Sequence, residues 1–150
     1  MDQQKKLFCL KGRANVGKSA AMCLIYNKIM EKYHLNSEMD CDLYEPKFLK
    51  GQLKEIVVVI RNVNGLTIGI ISYGDWGDMV SKKLQLLTDR NCDIIFCTAR
   101  TRGATVQEVR KMKEKGYEVK FVKKNIADSN THYITVNEEQ ADKLLEMAGL

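Results

Sequence analysis

Apolar residues recur along the chain in two alternating patterns, short unbroken runs and stretches with apolar positions three or four apart. The runs at 6–10, 55–61, 66–72, 93–97 and 117–122 read as strands. Helical spacing marks 18–33 (Ala21, Leu24, Ile25, Ile29, Tyr33), then Val80, Leu84 and Leu87, then Val106, Val109 and Met112. The tail, with Ala141, Leu144, Leu145 and Ala148, reads as a last helix, and Asn137 followed by Gln140 fits a capping box. Strands 55–61 and 66–72 meet across Asn62-Val63-Asn64-Gly65, where Asn-Gly tolerates the positive φ values of a tight hairpin turn. The single proline, Pro46, follows an acidic, polar stretch, and 36–52 reads as a loop. Strands alternating with helices predict an α/β fold. The expected architecture is a three-layer sandwich around a mostly parallel five-stranded sheet with one antiparallel hairpin strand. A length of 150 residues predicts one domain spanning 1–150.

Composition changes this picture little. Hydrophobic residues make up 45% and charged residues 29%, ordinary globular usage that excludes disorder as the main state. No apolar run approaches the ~20 residues of a membrane helix, and the one at 7–10 is too short for a signal peptide. A cytoplasmic protein without membrane contact is expected. The five cysteines are odd in number, scattered and without a C-x-x-C pair, so neither a disulfide framework nor a zinc ribbon is indicated. His34 and His132 stand apart from any spaced ligand set.

Charge matters more. The net +5 is concentrated between Thr98 and Asn125, where nine basic residues face three acidic ones. Such a stretch attracts anions: a nucleotide, a phosphorylated substrate or a nucleic-acid backbone. For Lys111, Lys113 and Lys115 a solvated helix face is the better reading.

Between the first strand and the first helix stands Gly12-Arg13-Ala14-Asn15-Val16-Gly17-Lys18-Ser19, followed by Ala20. This is G-x-x-x-x-G-K-[ST], the phosphate-binding P-loop pattern. Its glycines let successive N–H groups turn inward as an anion nest, and the helix start adds positive potential at the same place. Lys18 reaches toward the β- and γ-phosphates and is expected to contribute little to the core. The Ser19 hydroxyl is placed to ligate Mg²⁺.

In an open parallel sheet, ligands sit beyond the carboxyl ends of the strands. That rim collects 12–19, then Ser72-Tyr73-Gly74-Asp75-Trp76-Gly77-Asp78, then Thr98-Ala99-Arg100-Thr101-Arg102-Gly103, and Lys123, Lys124 and Asn125. Asp75 is the candidate Mg²⁺ carboxylate, against a plain turn residue between two glycines. Asp78 either orients a nucleophile or caps a helix beginning near Met79. Arg100 and Arg102 are candidates to clamp transferring phosphoryl oxygens rather than simple surface charge. Trp76 either stacks on a base or anchors its loop.

These residues resemble the P-loop NTPases of the kinase–GTPase division, in element order over roughly 6–122. Asn15-Val16-Gly17-Lys18-Ser19 is similar to the first motif of certain GTPases, as is the hairpin before Asp75. The sequence has no N-K-x-D, which implies ATP rather than GTP. Arg100 and Arg102 look similar to the lid arginines of small-molecule kinases. Where the family usually carries an aspartate at the strand end, this chain has Ser72, with Asp75 three residues on.

The expected function is ATP binding with Mg²⁺-dependent phosphoryl transfer, by a nucleotide or small-metabolite kinase or an ATPase. Lys18 would hold the γ-phosphate, Ser19 and Asp75 the Mg²⁺, and Arg100 and Arg102 the charge developing on the transferred group. Asp40, Asp42 and Glu45 are candidates for contacting an unidentified acceptor substrate. A second expectation is a nucleotide-dependent switch whose 36–52 segment binds a protein partner. The third, nucleic-acid binding through 98–125, ranks last because aromatic content is only 7% and no stacking motif accompanies the charge.

Overall fold

The structure is a computed structural model that describes residues 4–13, 16–73, 77–126 and 133–150. Its strands are β1 (Lys5–Lys11), β2 (Cys41–Leu49), β3 (Gln52–Val63), β4 (Leu66–Ile71), β5 (Ile94–Ala99) and β6 (Tyr117–Lys123). Its helices are α1 (Lys18–Lys32), α2 (Gly77–Asp89), α3 (Ala104–Arg110) and α4 (Tyr133–Met147), and a 3₁₀ turn at Lys111–Lys115 extends α3.

The strands form one mixed sheet in the order β2-β3-β4-β5-β1-β6. β1 pairs in parallel with β5 and β6, and β4 in parallel with β5. The β2–β3 and β3–β4 pairs are antiparallel. The α/β class is therefore as expected, but the sheet has six strands rather than five. The additional strand lies inside the segment expected to be a loop.

Two features of the sequence hid β2. Its residues Asp42, Glu45 and Lys47 carry charge, and Pro46 sits at its centre. Both are normal on an edge strand, where one row of backbone groups needs no ladder partner. A second tight turn at Lys50-Gly51, both at positive φ, joins it to β3. Tyr44 of β2 stacks on Tyr26 of α1 with ring centroids 5.7 Å apart. The expected Asn64-Gly65 turn is present, also with both φ values positive.

Alternate residues of each central strand face opposite layers, as the pleat requires. Phe8, Leu10, Ile56, Val58 and Ile60 pack with Ala21, Ile25 and Ile29 of α1 and Leu144 of α4. Leu7, Cys9, Val57 and Val59 pack with Val80, Leu84 and Leu87 of α2 and Val106 and Val109 of α3. Helices thus cover both faces of the sheet. Among the described residues, no helix is long and apolar enough to cross a membrane.

The proposed capping box is not formed. Helix α4 begins at Tyr133, so Asn137 and Gln140 lie inside it. Gln140 instead accepts from the Asn125 N–H at 2.7 Å and donates to the Lys123 carbonyl at 2.9 Å, tying α4 to the end of β6. Asp78 likewise sits in the first turn of α2, which begins two residues earlier than expected, and is not its cap.

Candidate functional site

Four strand ends meet at one rim. Gly12 N–H donates to the Ala99 carbonyl at 3.1 Å, and Lys124 N–H donates to the Lys11 carbonyl at 2.8 Å. Thr98 Oγ1 donates to the Ser72 carbonyl at 3.0 Å. The ends of β1, β4, β5 and β6 are therefore bonded side by side, and of the segment 12–19 that follows β1 the structure describes 12–13 and 16–19.

Helix α1 starts from this segment at Gly17, whose φ of 92° is left-handed and strains any residue with a side chain. Space demands glycine there as well. A Cβ would lie 2.8 Å from Asn137 Oδ1 and 3.1 Å from the Tyr133 ring. The N-cap residue is this glycine, which has no side chain to bond the first N–H groups of α1. Gly12 and Val16 are buried, Arg13 is exposed, and Ala20 is half-buried. Ala14 and Asn15 lie outside the described residues.

Lys18 departs from expectation. Its side chain is buried, and its ammonium donates to the Gly12 carbonyl at 2.6 Å and the Ala99 carbonyl at 3.1 Å. It links the ends of β1 and β5 instead of contributing little to the fold.

Ser19 holds a network that the sequence did not announce. Its Oγ donates to Glu55 Oε1 at 2.8 Å and lies 3.2 Å from the Ser72 carbonyl. The other carboxylate oxygen, Glu55 Oε2, accepts from Ser72 Oγ at 2.5 Å. Ser72 Oγ in turn accepts from the Ile56 N–H at 2.7 Å. One carboxylate from β3 thus joins the first turn of α1 to the end of β4. Its charge, after burial, helps push the Cys23 thiol up to about 12 and raises the Tyr73 phenol.

In the sequence Glu55 is marked only as the first residue of a strand. Counting back from the Asn64-Gly65 turn brings 57 opposite 72, and a register shift between Ile60 and Val63 moves the pairing by one residue, to 56. The Ser72 N–H does donate to the Ile56 carbonyl at 3.0 Å.

A cleft of about 750 Å³ opens over this network. Lys18, Ser19, Glu55, Ser72 and Thr98 form its floor, the β2–β3 hairpin one wall (Lys47, Leu49, Gln52, Leu53, Lys54), and the start of α4 another (Tyr133, Ile134, Asn137). Asn137 Oδ1 is buried against Gly17 without a hydrogen-bond partner among the described residues. A second cavity, of about 700 Å³, lies between α1 and the end of α4, away from these groups.

The other expected residues divide. Asp75, Gly74 and Trp76 lie outside the described residues. Arg100 and Arg102 are exposed directly after β5, and the Arg100 N–H donates to Thr105 Oγ1 at 2.9 Å. The acidic acceptor candidates serve the fold: Asp42 pairs with Arg61 at 2.9 Å, Glu45 approaches Lys83 at 3.5 Å, and Asp40 accepts from the Asn36 N–H at 2.8 Å. None of the three lines the cleft.

The basic stretch is divided too. Lys111 pairs with Glu108 at 3.0 Å, Lys115 donates to Gln85 at 2.6 Å, and Arg110 covers the Phe121 ring. Lys124 is buried, and burial lowers its ammonium pKa.

The donor set suits a hard cation beside phosphate: the lining described offers hydroxyls and the Glu55 carboxylate, with no thiolate or imidazole among them. Among the described residues no cluster of three or more His, Cys, Asp or Glu surrounds a metal position. Magnesium held mainly by phosphate oxygens and water requires no such cluster. Compared with protein-family models, curated proteins and solved structures, the chain matches none of them.

Proposed function

We propose that the chain is an ATP-binding P-loop protein carrying out Mg²⁺-dependent phosphoryl transfer, as a nucleotide or small-metabolite kinase or an ATPase. The observation that carries this reading is the junction of β1 and α1. A left-handed glycine, a lysine and a serine at the start of a helix line one cleft. Uncapped N–H groups at a helix start favour an anion, and the helix dipole adds to their effect.

In this reading Lys18 exchanges its carbonyl partners for phosphate oxygens, and Ser19 supplies a hydroxyl ligand to the metal. Asp75 remains the carboxylate assigned from sequence. Bound magnesium supplies positive charge against the phosphate oxygens during transfer. Arg100 and Arg102, on the loop that follows the Lys18 acceptor Ala99, would neutralise charge developing on the transferred group. Positioning and charge neutralisation suffice for in-line transfer, so no covalent step on the protein is required.

The engagement of Asp40, Asp42 and Glu45 within the fold favours a second version. In it the protein is a nucleotide-dependent switch with little turnover, and the β2–β3 hairpin meets a protein partner. The scattered engagements of the 98–125 lysines and arginines lend nucleic-acid binding less support.

Calorimetric titration of ATP and GTP, each with and without Mg²⁺, tests the proposal. ATP should bind, more tightly with the metal, and GTP more weakly. Failure of both nucleotides to bind would overturn it. A subsequent screen of phosphate acceptors separates the kinase from the switch.

A further inference from the structure

We propose that Glu55, reaching across from β3, is the carboxylate that positions Ser19 for the metal, in place of an acid at the end of β4. The inference rests on the nucleotide-binding reading above and assigns one of its missing parts.

A serine hydroxyl ligates a cation through an oxygen lone pair, so its proton must point elsewhere. Glu55 Oε1 accepts that proton at 2.8 Å. At the strand end that adjoins Ser19 stands Ser72 rather than an acid, and its carbonyl lies 3.2 Å from Ser19 Oγ. Instead Ser72 donates to Glu55 Oε2 at 2.5 Å. The Ser72 hydroxyl is itself fixed by the Ile56 N–H, so the carboxylate is aimed from both sides. It is half-buried on the cleft floor, where the surroundings weaken the competition of bulk water.

The carboxylate retains capacity after these contacts. An ionised carboxylate offers about four acceptor positions, and two are used here. The others are available to water molecules in a magnesium shell, which this cation sheds reluctantly. Partners that orient a ligand in this way typically change metal affinity by about 10–100-fold.

The antiparallel hairpin explains why β3 can supply the group. Ile56 pairs opposite the first residue beyond β4, so Glu55 extends past the end of β4 toward α1. A carboxylate on this strand and a serine on the next reach the place that one acid at the end of β4 would occupy.

Glu55→Gln tests the assignment, because it keeps the shape and one acceptor oxygen while removing the charge. Metal affinity would be read by electron paramagnetic resonance of Mn²⁺ added to the ATP-loaded protein. ATP affinity would be measured by calorimetry with Mg²⁺ and with EDTA, and a thermal melt would check the fold. Mn²⁺ affinity should fall by about 10–100-fold. ATP binding in EDTA should stay the same or tighten, since a negative charge beside the phosphates has gone.

Equal weakening with and without metal would mean that Glu55 only holds the fold, and would overturn the inference. Ser72→Ala, which frees one side of the carboxylate, should give a smaller loss of the same kind. Introducing Ser72→Asp into the Glu55→Gln variant should restore metal affinity. Unchanged Mn²⁺ affinity in Glu55→Gln together with a large loss in Asp75→Asn would assign the carboxylate to Asp75 instead. Absence of metal-dependent ATP binding in the parent protein would refute the nucleotide reading itself, a result distinct from all of these.

Discussion

Replacing Lys18 with methionine separates two roles that the structure gives to one side chain. Methionine keeps the apolar stem and removes only the ammonium. In the structure that ammonium donates to the Gly12 carbonyl at 2.6 Å and to the Ala99 carbonyl at 3.1 Å. Hydrogen bonds to charged groups contribute about 1.5–3 kcal/mol each, and the cost of desolvating a buried ammonium offsets part of that. A net loss of about 1–3 kcal/mol follows. For a chain of this length about 2–4 °C accompanies each kcal/mol, so Tm should fall by about 2–12 °C. The second effect is on the ligand. Loss of contacts between lysine and phosphate should weaken ATP by at least about 100-fold, which corresponds to about 2.7 kcal/mol. Differential scanning fluorimetry with and without ATP reads both: the variant should melt lower and lose the stabilisation that ligand gives the parent. Parental ATP affinity in Lys18→Met would refute the phosphate-binding role. An unchanged Tm would refute the clamp between β1 and β5.

Gly17→Ala should lose about 2–4 kcal/mol in denaturant unfolding, from left-handed backbone strain plus a Cβ placed 2.8 Å from Asn137 Oδ1. Adding Asn137→Ala should recover the steric part only, and full recovery would show that the backbone is not strained there. Arg100→Ala or Arg102→Ala should lower turnover more than ATP affinity in steady-state kinetics, with lysine at either position restoring only part of the rate. Equal losses in binding and turnover would leave these arginines an electrostatic role alone. Burial pushes Cys23 and Cys92 up to about 12 and Cys41 up to about 11. Raised values keep the unreactive thiol form, with only about one part in 10⁴ of Cys23 and Cys92 ionised at pH 8. Iodoacetamide should therefore label them slowly in the native protein and rapidly in guanidinium, and fast native labelling seen by mass spectrometry would contradict this burial.

Much of the fold was legible because periodicity and turn chemistry act locally. The run at 93–97 and the spacing of Val80, Leu84 and Leu87 correspond to β5 and α2, and Asn64-Gly65 sits at the turn between β3 and β4. Strand β2 was not legible. A proline and charged residues lower strand propensity, and tertiary contacts make extended backbone favourable there: the pairing with β3, the Tyr26–Tyr44 stack and the packing of Leu43 on the core. Lys18 shows the same limit at the level of one side chain. Its place beside Gly17 marked it for phosphate, but nothing local showed that Ala99, 81 residues on, would accept its proton.

The hidden edge strand and the distant carboxylate have one physical origin. A sequence motif reports residues close along the chain, so the segment from Gly12 to Ser19 was conspicuous and Glu55, 36 residues from Ser19, was not. The antiparallel β3–β4 pair brings that residue beside the end of β4. Pairing with β2 then fixes β3 from its other side, up to the hairpin that walls the cleft. Without β2, β3 would be the sheet edge, and the segment carrying Glu55 would lose its ladder on one side. The edge strand that carries none of the expected acceptor groups into the cleft therefore still bears on its chemistry, by holding the strand from which Glu55 reaches Ser19.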